Sequence, residues 1–358
     1  MDRNEKRFGL GWLCVAALAV GCSGLVLSGQ TTTPSAKVDA GGSTAEVLQS
    51  LRKTIDSGHP QDALTQIAEL RTKQPAPHGL SRMEGLAQYA LGHLQAADAA
   101  FGIALKEDGT DVESTQMRGM TLFRLGRPAD AIPLLEASRT MNSGTKADPN
   151  YVLALCYIDA RRYDDARRAF AMQYGFTPDG APAYLLAARM LLRREYLPLA
   201  QGFAKKALDL QPSLPLAHAL LGEIALAGNH LDEAIAEFEK ERTSNPLEGS
   251  VYDRLGDAYS RAARYEEAQH SLQEALLLEP NATGPYILLG KTMLKRGDAL
   301  GAATYLEHAV QMDPGNYISH SLLGQAYRTM GRKDDASRET ATAQRLQSAS
   351  EPKIENAN

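Results

Sequence analysis

One short stretch has the residue types of a phosphate-binding loop. Gly284 to Thr292 reads GPYILLGKT, and such a loop wraps phosphates with glycine backbone N–H groups, a lysine and a hydroxyl residue. The spacing differs, because five residues separate these two glycines where the loop has four. The segment also has the pattern of a helix interior instead of a turn after a strand. We therefore expect no nucleotide site here.

Other patterns of catalysis and metal binding are also missing. None of the eight histidines stands three or four residues from another, and neither GxSxG nor HExxH occurs. Cys156 is the one cysteine outside the N-terminal segment, so it has no intramolecular disulfide partner in the rest of the chain and is read as a small core residue. The sequence predicts a protein without catalytic residues, metal or cofactor.

Composition and charge favour helices and argue against nucleic acid. The chain has 358 residues and a net charge of -5, with lysine and arginine mixed among the acidic residues. Nucleic-acid binding usually requires a basic stripe, so we expect none. Ala, Leu, Arg and Glu are frequent and Val and Ile are sparse, which suits helices better than sheets.

The N-terminal segment has the features of an export signal or a membrane anchor. Basic residues precede an uncharged run from Phe8 to Gln30. Three interpretations are open for residues 1–30: a retained membrane anchor, a cleaved signal, and a lipoprotein signal in which LAVGC makes Cys22 the lipidated residue. All three place the rest of the protein outside the cytoplasm, in the periplasm or another extracytoplasmic compartment. Residues 31–43, rich in Thr, Ser and Gly, are predicted to be a flexible linker.

The helices that would position any functional residue are predicted by a repeat in the sequence. Glycines recur every 34 residues at Gly222, Gly256, Gly290 and Gly324, and small residues continue this spacing upstream after one single-residue insertion. Of the nine positions in this series only Leu51 is not small, and twelve residues after each of the nine stands an alanine: Ala63, Ala97, Ala131, Ala166, Ala200, Ala234, Ala268, Ala302 and Ala336. This regularity predicts nine helix pairs, each crossing where a side chain is nearly absent.

Further columns complete the unit. Large apolar residues stand in the second helix of most units, and proline closes six of them. Glycine often lies between the two helices, where the first helix needs a left-handed residue at its end: Gly58, Gly92, Gly126, Gly297 and Gly331. The first three units depart from the pattern, with Ser50, Glu84 and Arg118 where an apolar residue is usual. One unit cannot bury its own apolar face, so stacking must supply the stability.

The segment LGDAYSRAARYEEAQHSLQEALLLEP, with Leu255, Gly256, Tyr259, Ala268 and Pro280, resembles the tetratricopeptide repeat. The resemblance covers residues 44–348, with units starting near 44, 78, 112, 147, 181, 215, 249, 283 and 317, and residues 349–358 are predicted to be a disordered tail. It implies an all-α fold, an α-solenoid in which the units form a right-handed superhelix. It also implies that first helices line a concave groove where other proteins or peptide segments bind.

Helical geometry then predicts the groove residues as the first-helix side chains not used for the crossing or the core. In the second to sixth units these are Met83, Leu86, Met117, Met120, Phe123, Tyr151, Leu155, Leu185, Arg189, Leu192, Leu220 and Glu223. The seventh and eighth units supply Asp253, Asp257, Arg261, Lys291 and Lys295. The predicted groove is apolar over its first two thirds and charged in its last third.

These features predict a non-catalytic scaffold or assembly factor that binds partner proteins outside the cytoplasm. One of the open interpretations is that the N-terminal segment tethers this protein to a membrane. The alternative is a ligand-binding or enzymatic protein with a pocket inside the superhelix. A closed polar pocket with converging carboxylates would favour that alternative, whereas an open apolar trough would favour peptide binding.

Overall fold

The computed structural model describes residues 43–73, 75–141 and 148–350. These residues form eighteen helices, arranged as nine helix pairs in chain order, so the predicted all-α array of helix-turn-helix repeats is confirmed. The pairs, numbered repeats 1 to 9, are α1 (Thr44–Asp56) with α2 (Pro60–Arg71), α3 (Leu80–Ala90) with α4 (Leu94–Glu107), α5 (Val112–Arg124) with α6 (Pro128–Thr140), α7 (Asn150–Asp159) with α8 (Tyr163–Tyr174), α9 (Ala181–Arg193) with α10 (Leu197–Leu210), α11 (Ala217–Ala227) with α12 (Leu231–Ser244), α13 (Gly249–Arg261) with α14 (Tyr265–Leu278), α15 (Thr283–Arg296) with α16 (Ala299–Met312), and α17 (Tyr317–Thr329) with α18 (Lys333–Ser350).

Part of each end of the chain lies outside the described residues. The predicted export segment with Cys22, and all of the linker except Ser43, lie outside the described residues. Ser43 caps α1, because its side chain accepts a hydrogen bond from the Glu46 backbone N–H. At the other end α18 continues to Ser350, two residues into the predicted tail, and residues 351–358 are not described. Within the described ranges, no helix has the length and apolarity needed to cross a membrane.

The helix crossings depend on the column of glycines. A methyl group at Gly85 would lie 2.5 Å from the Phe101 ring, and one at Gly222 would lie 2.6 Å from the Phe238 ring. In repeats 7 and 8 the same collision would occur with the side chains of Leu272 and Leu306. The nine alanines of the second column are all buried, with at most 4% of their surface exposed. The predicted close crossing is therefore confirmed in repeats 2, 6, 7 and 8, whereas repeat 1 has the buried Leu51 at the crossing position.

The turn inside each pair requires a residue with positive φ. All five glycines predicted there have it, with φ between 72° and 86°. The other four repeats place non-glycine residues in the same backbone conformation, with φ of 60° or 61°: Arg161, Glu195, Asn229 and Ala263. Asparagine adopts this conformation more readily than other L residues, so it is at Arg161, Glu195 and Ala263 that helix packing on both sides imposes the turn against the local preference.

Polar contacts join neighbouring repeats where the repeat pattern lacks an apolar residue. Arg118 on α5 donates to Asp98 on α4 at 2.8 Å, and Glu84 on α3 accepts from Arg71 on α2 at 2.5 Å. These are two of the three polar departures seen in the first units. They therefore form ion pairs between adjacent repeats and replace apolar packing there.

A second kind of contact between neighbouring repeats occurs three times. The Tyr259 hydroxyl donates to Glu239 of the preceding repeat at 2.8 Å, and the Arg264 guanidinium lies 4.6 Å from the centre of the tyrosine ring. Burial and this carboxylate raise the pKa of Tyr259 to about 12, so the hydroxyl keeps its proton. The two other instances are Tyr157 with Glu136 and Arg162, and Tyr327 with Glu307 and Arg332.

Repeat 6 contains a buried carboxylate at a position where five other repeats have alanine. Glu241 on α12 is 1% exposed, whereas repeats 2, 5, 7, 8 and 9 have a buried alanine at this position: Ala104, Ala207, Ala275, Ala309 and Ala343. Its oxygens accept from the backbone N–H groups of Leu216, at 2.9 Å, and Ala219, at 3.1 Å, at the start of α11. The carboxylate thus caps a helix N-terminus, where unpaired N–H groups and the helix dipole favour negative charge.

Candidate functional site

The first helices of the repeats form the inner face of the array. First helices of adjacent repeats contact each other, as α3 does with α5 and α13 does with α15, and only α7 and α9 approach less closely. The second helices of adjacent repeats make no comparable contact within the described residues. An array in which one helix row is closer together curves toward that row. We call the surface of the first helices that faces away from the second helices the inner face.

Three predicted groove residues are not available on this face. Met83, Leu86 and Leu220 are only 3%, 8% and 0% exposed. Met83 and Leu86 lie in the core of repeats 1 and 2, and Leu220 lies in the core that runs through repeats 3 to 6. Because the first helices pack closely against one another, these side chains fill the space between neighbouring repeats. Their assignment to an open groove was wrong.

The central repeats present a continuous group of half-buried apolar side chains. This apolar strip consists of Met120 and Phe123 on α5, Tyr151 and Leu155 on α7, and Leu185 and Leu192 on α9. Each packs against the main core while part of its surface stays accessible. Met117 is likewise half-buried but packs against the core of repeats 1 and 2. The strip crosses α7 and α9, the place where the first helices are farthest from each other.

Arg189 lies among these residues on α9. It is half-buried and has no hydrogen bond or ion pair with any other described residue. The guanidinium therefore remains able to bind an acidic group from outside the chain.

The inner face is polar in the first repeats, contrary to the predicted apolar first two thirds. Arg52 on α1 donates to Glu113 on α5 at 2.6 Å, and Arg82 on α3 lies 3.5 Å from Asp111 and 3.6 Å from Glu113. Desolvation lowers the pKa of Arg52, whereas Glu113 and Asp56 raise it. The net result is a pKa above the ordinary value of arginine. The apolar section is thus confined to repeats 3 to 5.

Sequence reasoning missed this polar network, although one signal was present. Arg52 occupies the same column as Leu86, Met120 and Leu155, at the 34-residue spacing adjusted for the one insertion. Comparing the residues at this position would have shown that the first unit has a charged residue where three later units have apolar ones. Its partner Glu113 could not be found in this way, because the pair joins two helices 61 residues apart in the chain.

In repeats 6 and 7 the inner face carries carboxylates and arginines. Glu223 on α11 lies 3.8 Å from Arg254, and Asp257 lies 3.9 Å from Arg261 on the same helix. Arg261 also donates to the Leu226 carbonyl oxygen at 3.1 Å and to the Asn229 side chain at 3.0 Å. Arg261 therefore ties repeat 7 to the turn of repeat 6.

Asp253 is the least satisfied acidic residue of this face. Its Oδ1 atom is buried without a hydrogen-bond partner among the described residues. Burial raises the pKa of Asp253 to about 6; nearby Arg254 acts in the opposite direction, and Asp257 and Glu279 raise it further. A carboxylate in this situation gains more than an exposed one from a cation placed beside it.

Repeat 8 contributes two lysines to the charged section. Lys291 is half-buried and Lys295 is exposed, and both lie on α15 next to the helix that carries Asp253 and Asp257. In the described part of the chain neither lysine forms an ion pair. On this face of repeats 7 and 8 the acidic groups thus lie on α13 and the two lysines on α15.

The described residues offer little support for a catalytic centre. No group of three or more His, Cys, Asp or Glu side chains among them is placed to hold a metal ion. Cys156 is fully buried, and burial raises the pKa of its thiol to about 12, which suppresses the nucleophilic thiolate. Gly290 lies inside α15 against Leu306, as a crossing residue. A cavity of about 80 Å³ near Arg82 and Asp111 is far smaller than the hundreds of Å³ typical of small-molecule sites.

Family models described as tetratricopeptide repeat match the chain in four places. One model matches residues 122–193 and 293–352, and a second matches residues 82–150 and 254–317. Together the matched residues make up more than half of the chain. The matches include the residues of the apolar strip and Lys291, and the match that covers most of repeat 7 begins at residue 254, directly after Asp253.

Individual relatives are distant. Cellulose synthase operon protein C of Xanthomonas axonopodis pv. citri (strain 306) is 25% identical over 296 residues, which are 78% of this chain and 18% of that protein. The chloroplastic tetratricopeptide repeat domain-containing protein PYG7 of Arabidopsis thaliana is 29% identical over 96 residues, 26% of this chain and 32% of that protein. The matched segments thus span less than a third of each of these relatives.

Solved structures with similar chain paths include MamA and YrrB. MamA is 21% identical with a TM-score of 0.43, covering 45% of this chain and 95% of its own. YrrB, described as a TPR protein with an unusual peptide-binding site, is 23% identical with a TM-score of 0.43, covering 51% of this chain and 94% of its own.

Proposed function

The chain belongs to the tetratricopeptide repeat family, and we propose that it is a non-catalytic scaffold that holds a segment of a partner protein on its inner face. The observation that carries this proposal is the apolar strip of repeats 3 to 5. Its six large side chains are left partly uncovered on one surface, where water contact is unfavourable and an apolar segment would bury them.

The shape of the inner face supports a segment instead of a small molecule. The strip extends over three consecutive first helices, and charged groups continue it on α11, α13 and α15. A surface of this length suits an extended or helical polypeptide, which can place apolar side chains at one end and polar ones at the other. Methionine in the strip adds a flexible side chain that adapts to varied apolar groups.

We expect Met120→Asp combined with Leu155→Asp to weaken partner capture at least about tenfold, because two charges would have to be desolvated beneath an apolar segment. The measurement is quantitative capture of envelope proteins by the purified array, with helicity checked by circular dichroism. The matched control is Ile103→Asp with Met172→Asp, which puts two charges on exposed apolar residues of the second helices α4 and α8. Undiminished capture by the first variant, together with loss in the control, would move the site to the outer surface.

We further propose that the array works outside the cytoplasm, held to or released from the membrane by the N-terminal segment. The uncharged run from Phe8 to Gln30 supports this location. We expect the intact mass of the mature protein to distinguish a retained anchor from a cleaved signal, and lipid labelling to disappear in Cys22→Ser if Cys22 is the lipidated residue. An unmodified full-length protein found in the cytosolic fraction would contradict the proposal.

A further inference from the structure

The inner face changes the sign of its charge between two adjacent helices. Asp253 and Asp257 lie on α13, and Lys291 and Lys295 lie on α15. The two helices are in contact, so the acidic and basic groups are one repeat apart. Yet neither lysine forms an ion pair with these aspartates. Among the described residues, Asp253 and the two lysines are therefore without an ion pair, whereas Asp257 lies 3.9 Å from Arg261.

A glycine of α15, Gly284, faces the Asp253 carboxylate. A Cβ atom at Gly284 would lie 3.8 and 3.9 Å from the two carboxylate oxygens of Asp253, and apart from its chain neighbours and its own helix backbone no other atom would lie within 4 Å. Gly284 itself is exposed. We call this position, where α15 places no side chain over the Asp253 carboxylate, the notch.

The arginines around this notch are engaged elsewhere. Arg254 reaches toward Glu223 on α11, at 3.8 Å. Arg261 donates two hydrogen bonds to the turn of repeat 6, and its distance to Asp257 is 3.9 Å. Glu279, the other charged group near Asp253, is also acidic. The surroundings of Asp253 thus favour an added positive charge.

We propose that the bound segment places a basic side chain, Lys or Arg, against Asp253 and Asp257 and an acidic side chain against Lys291 and Lys295. This inference rests on the proposed function, since it describes the same segment beyond its apolar part. Neighbouring helices pack about 8–10 Å apart and an extended chain advances about 3.3 Å per residue, so about three residues separate the two charges. The order along the segment is apolar, then basic, then acidic, in either chain direction.

The test uses fluorescein-labelled synthetic peptides and the full-length protein. Each peptide has about fifteen residues, because five helix steps of about three residues lead from α5 to α15. In the first pair both peptides begin with a Leu- and Met-rich half. One continues with Lys, two Ser and Asp, and the other with Asp, two Ser and Lys. The second pair has the same two sequences in the reverse chain direction. We expect one apolar-basic-acidic peptide to bind about fivefold to tenfold more tightly at low salt than its permuted partner, and salt to reduce this ratio.

Charge reversal on the protein supplies the second measurement. Lys291→Glu with Lys295→Glu should abolish the preference, and adding Asp257→Lys should reverse it. Lys205→Glu with Lys206→Glu, two exposed lysines of the second helix α10, is the matched control and should leave the preference unchanged. Circular dichroism checks that each variant is folded.

The outcomes separate the two proposals. Equal affinity for both charge orders, while Met120→Asp with Leu155→Asp still abolishes binding, would overturn this inference and leave the proposed function standing. Failure of the wild-type protein to bind any of the four peptides would count against both. A preference that is unaffected by the lysine reversal would place the discriminating charges elsewhere and overturn the assignment.

Discussion

Gly256→Ala is expected to lower the free energy of unfolding by about 1–3 kcal/mol, the usual cost of overpacking a filled core. Gly256 lies inside α13, where a methyl group would collide with the side chain of Leu272 on α14. Leu272 is fully buried, so it has little space into which to retreat. The measurement is urea-induced unfolding, with hydrogen exchange of α13 and α14 as a local readout, since a repeat array can open locally.

Gly202→Ala is the matched control for this change. Gly202 also lies inside a helix, α10, but it is exposed and no atom lies within 4 Å of a Cβ placed there. Alanine is the better helix former, so this substitution should raise stability by about 0.5–1 kcal/mol. The same chemical change is thus expected to have opposite signs at two helical glycines.

A double-mutant cycle identifies the cause. Leu272→Ala alone should cost about 2–5 kcal/mol, as for other buried leucines. In the Gly256→Ala background it should cost less, because the shortened side chain makes room for the new methyl group. Additive effects of the two substitutions would contradict the crossing packing described for repeat 7.

Glu241→Ala is expected to destabilise the protein by about 2–3 kcal/mol, because it leaves buried backbone donors without an acceptor. The donors are the N–H groups of Leu216 and Ala219, and the Asn245 side chain also donates to the same carboxylate. Leu216 has a φ of 61°, an unfavourable value for leucine, so its bond to Glu241 also helps to hold a strained helix start. Thermal and urea unfolding would measure the loss.

Two further variants test the capping role of Glu241. Glu241→Gln retains one oxygen acceptor and should lose about half as much stability as the alanine variant. Glu233→Ala, an exposed glutamate of the same helix, should change stability by less than about 1 kcal/mol. Equal losses from Glu233→Ala and Glu241→Ala would refute the assignment of a buried cap.

Much of the fold could be predicted because each repeat reuses the same local contacts. The spacing of Gly222, Gly256 and Gly290 located the crossings, since close approach of two helices tolerates only a small side chain. The same periodicity located the left-handed turns after the first helices. Both are short-range features within a single pair, so the residue types alone carry the information.

The candidate site was harder to predict because it depends on contacts between repeats. Met83, Leu86 and Leu220 have the helical phase of groove residues but are buried, since the lateral shift between neighbouring repeats decides which side of a first helix is covered. The signal at Glu241 was a charged residue at a position where five other repeats have alanine, but its target on α11 was not visible in the sequence.

The sequence by itself therefore determined the architecture: nine helix pairs, their crossings, and the sign of the charges in repeats 7 and 8. Only the tertiary structure decided which first-helix side chains remain accessible, that Arg52 and Arg82 are paired on the inner face, and that Gly284 faces the Asp253 carboxylate. The physical reason is the distance along the chain between the residues that must contact each other. Helix pairing depends on residues within one repeat, whereas exposure and charge pairing depend on the distance and twist between repeats, which no single column of residues encodes.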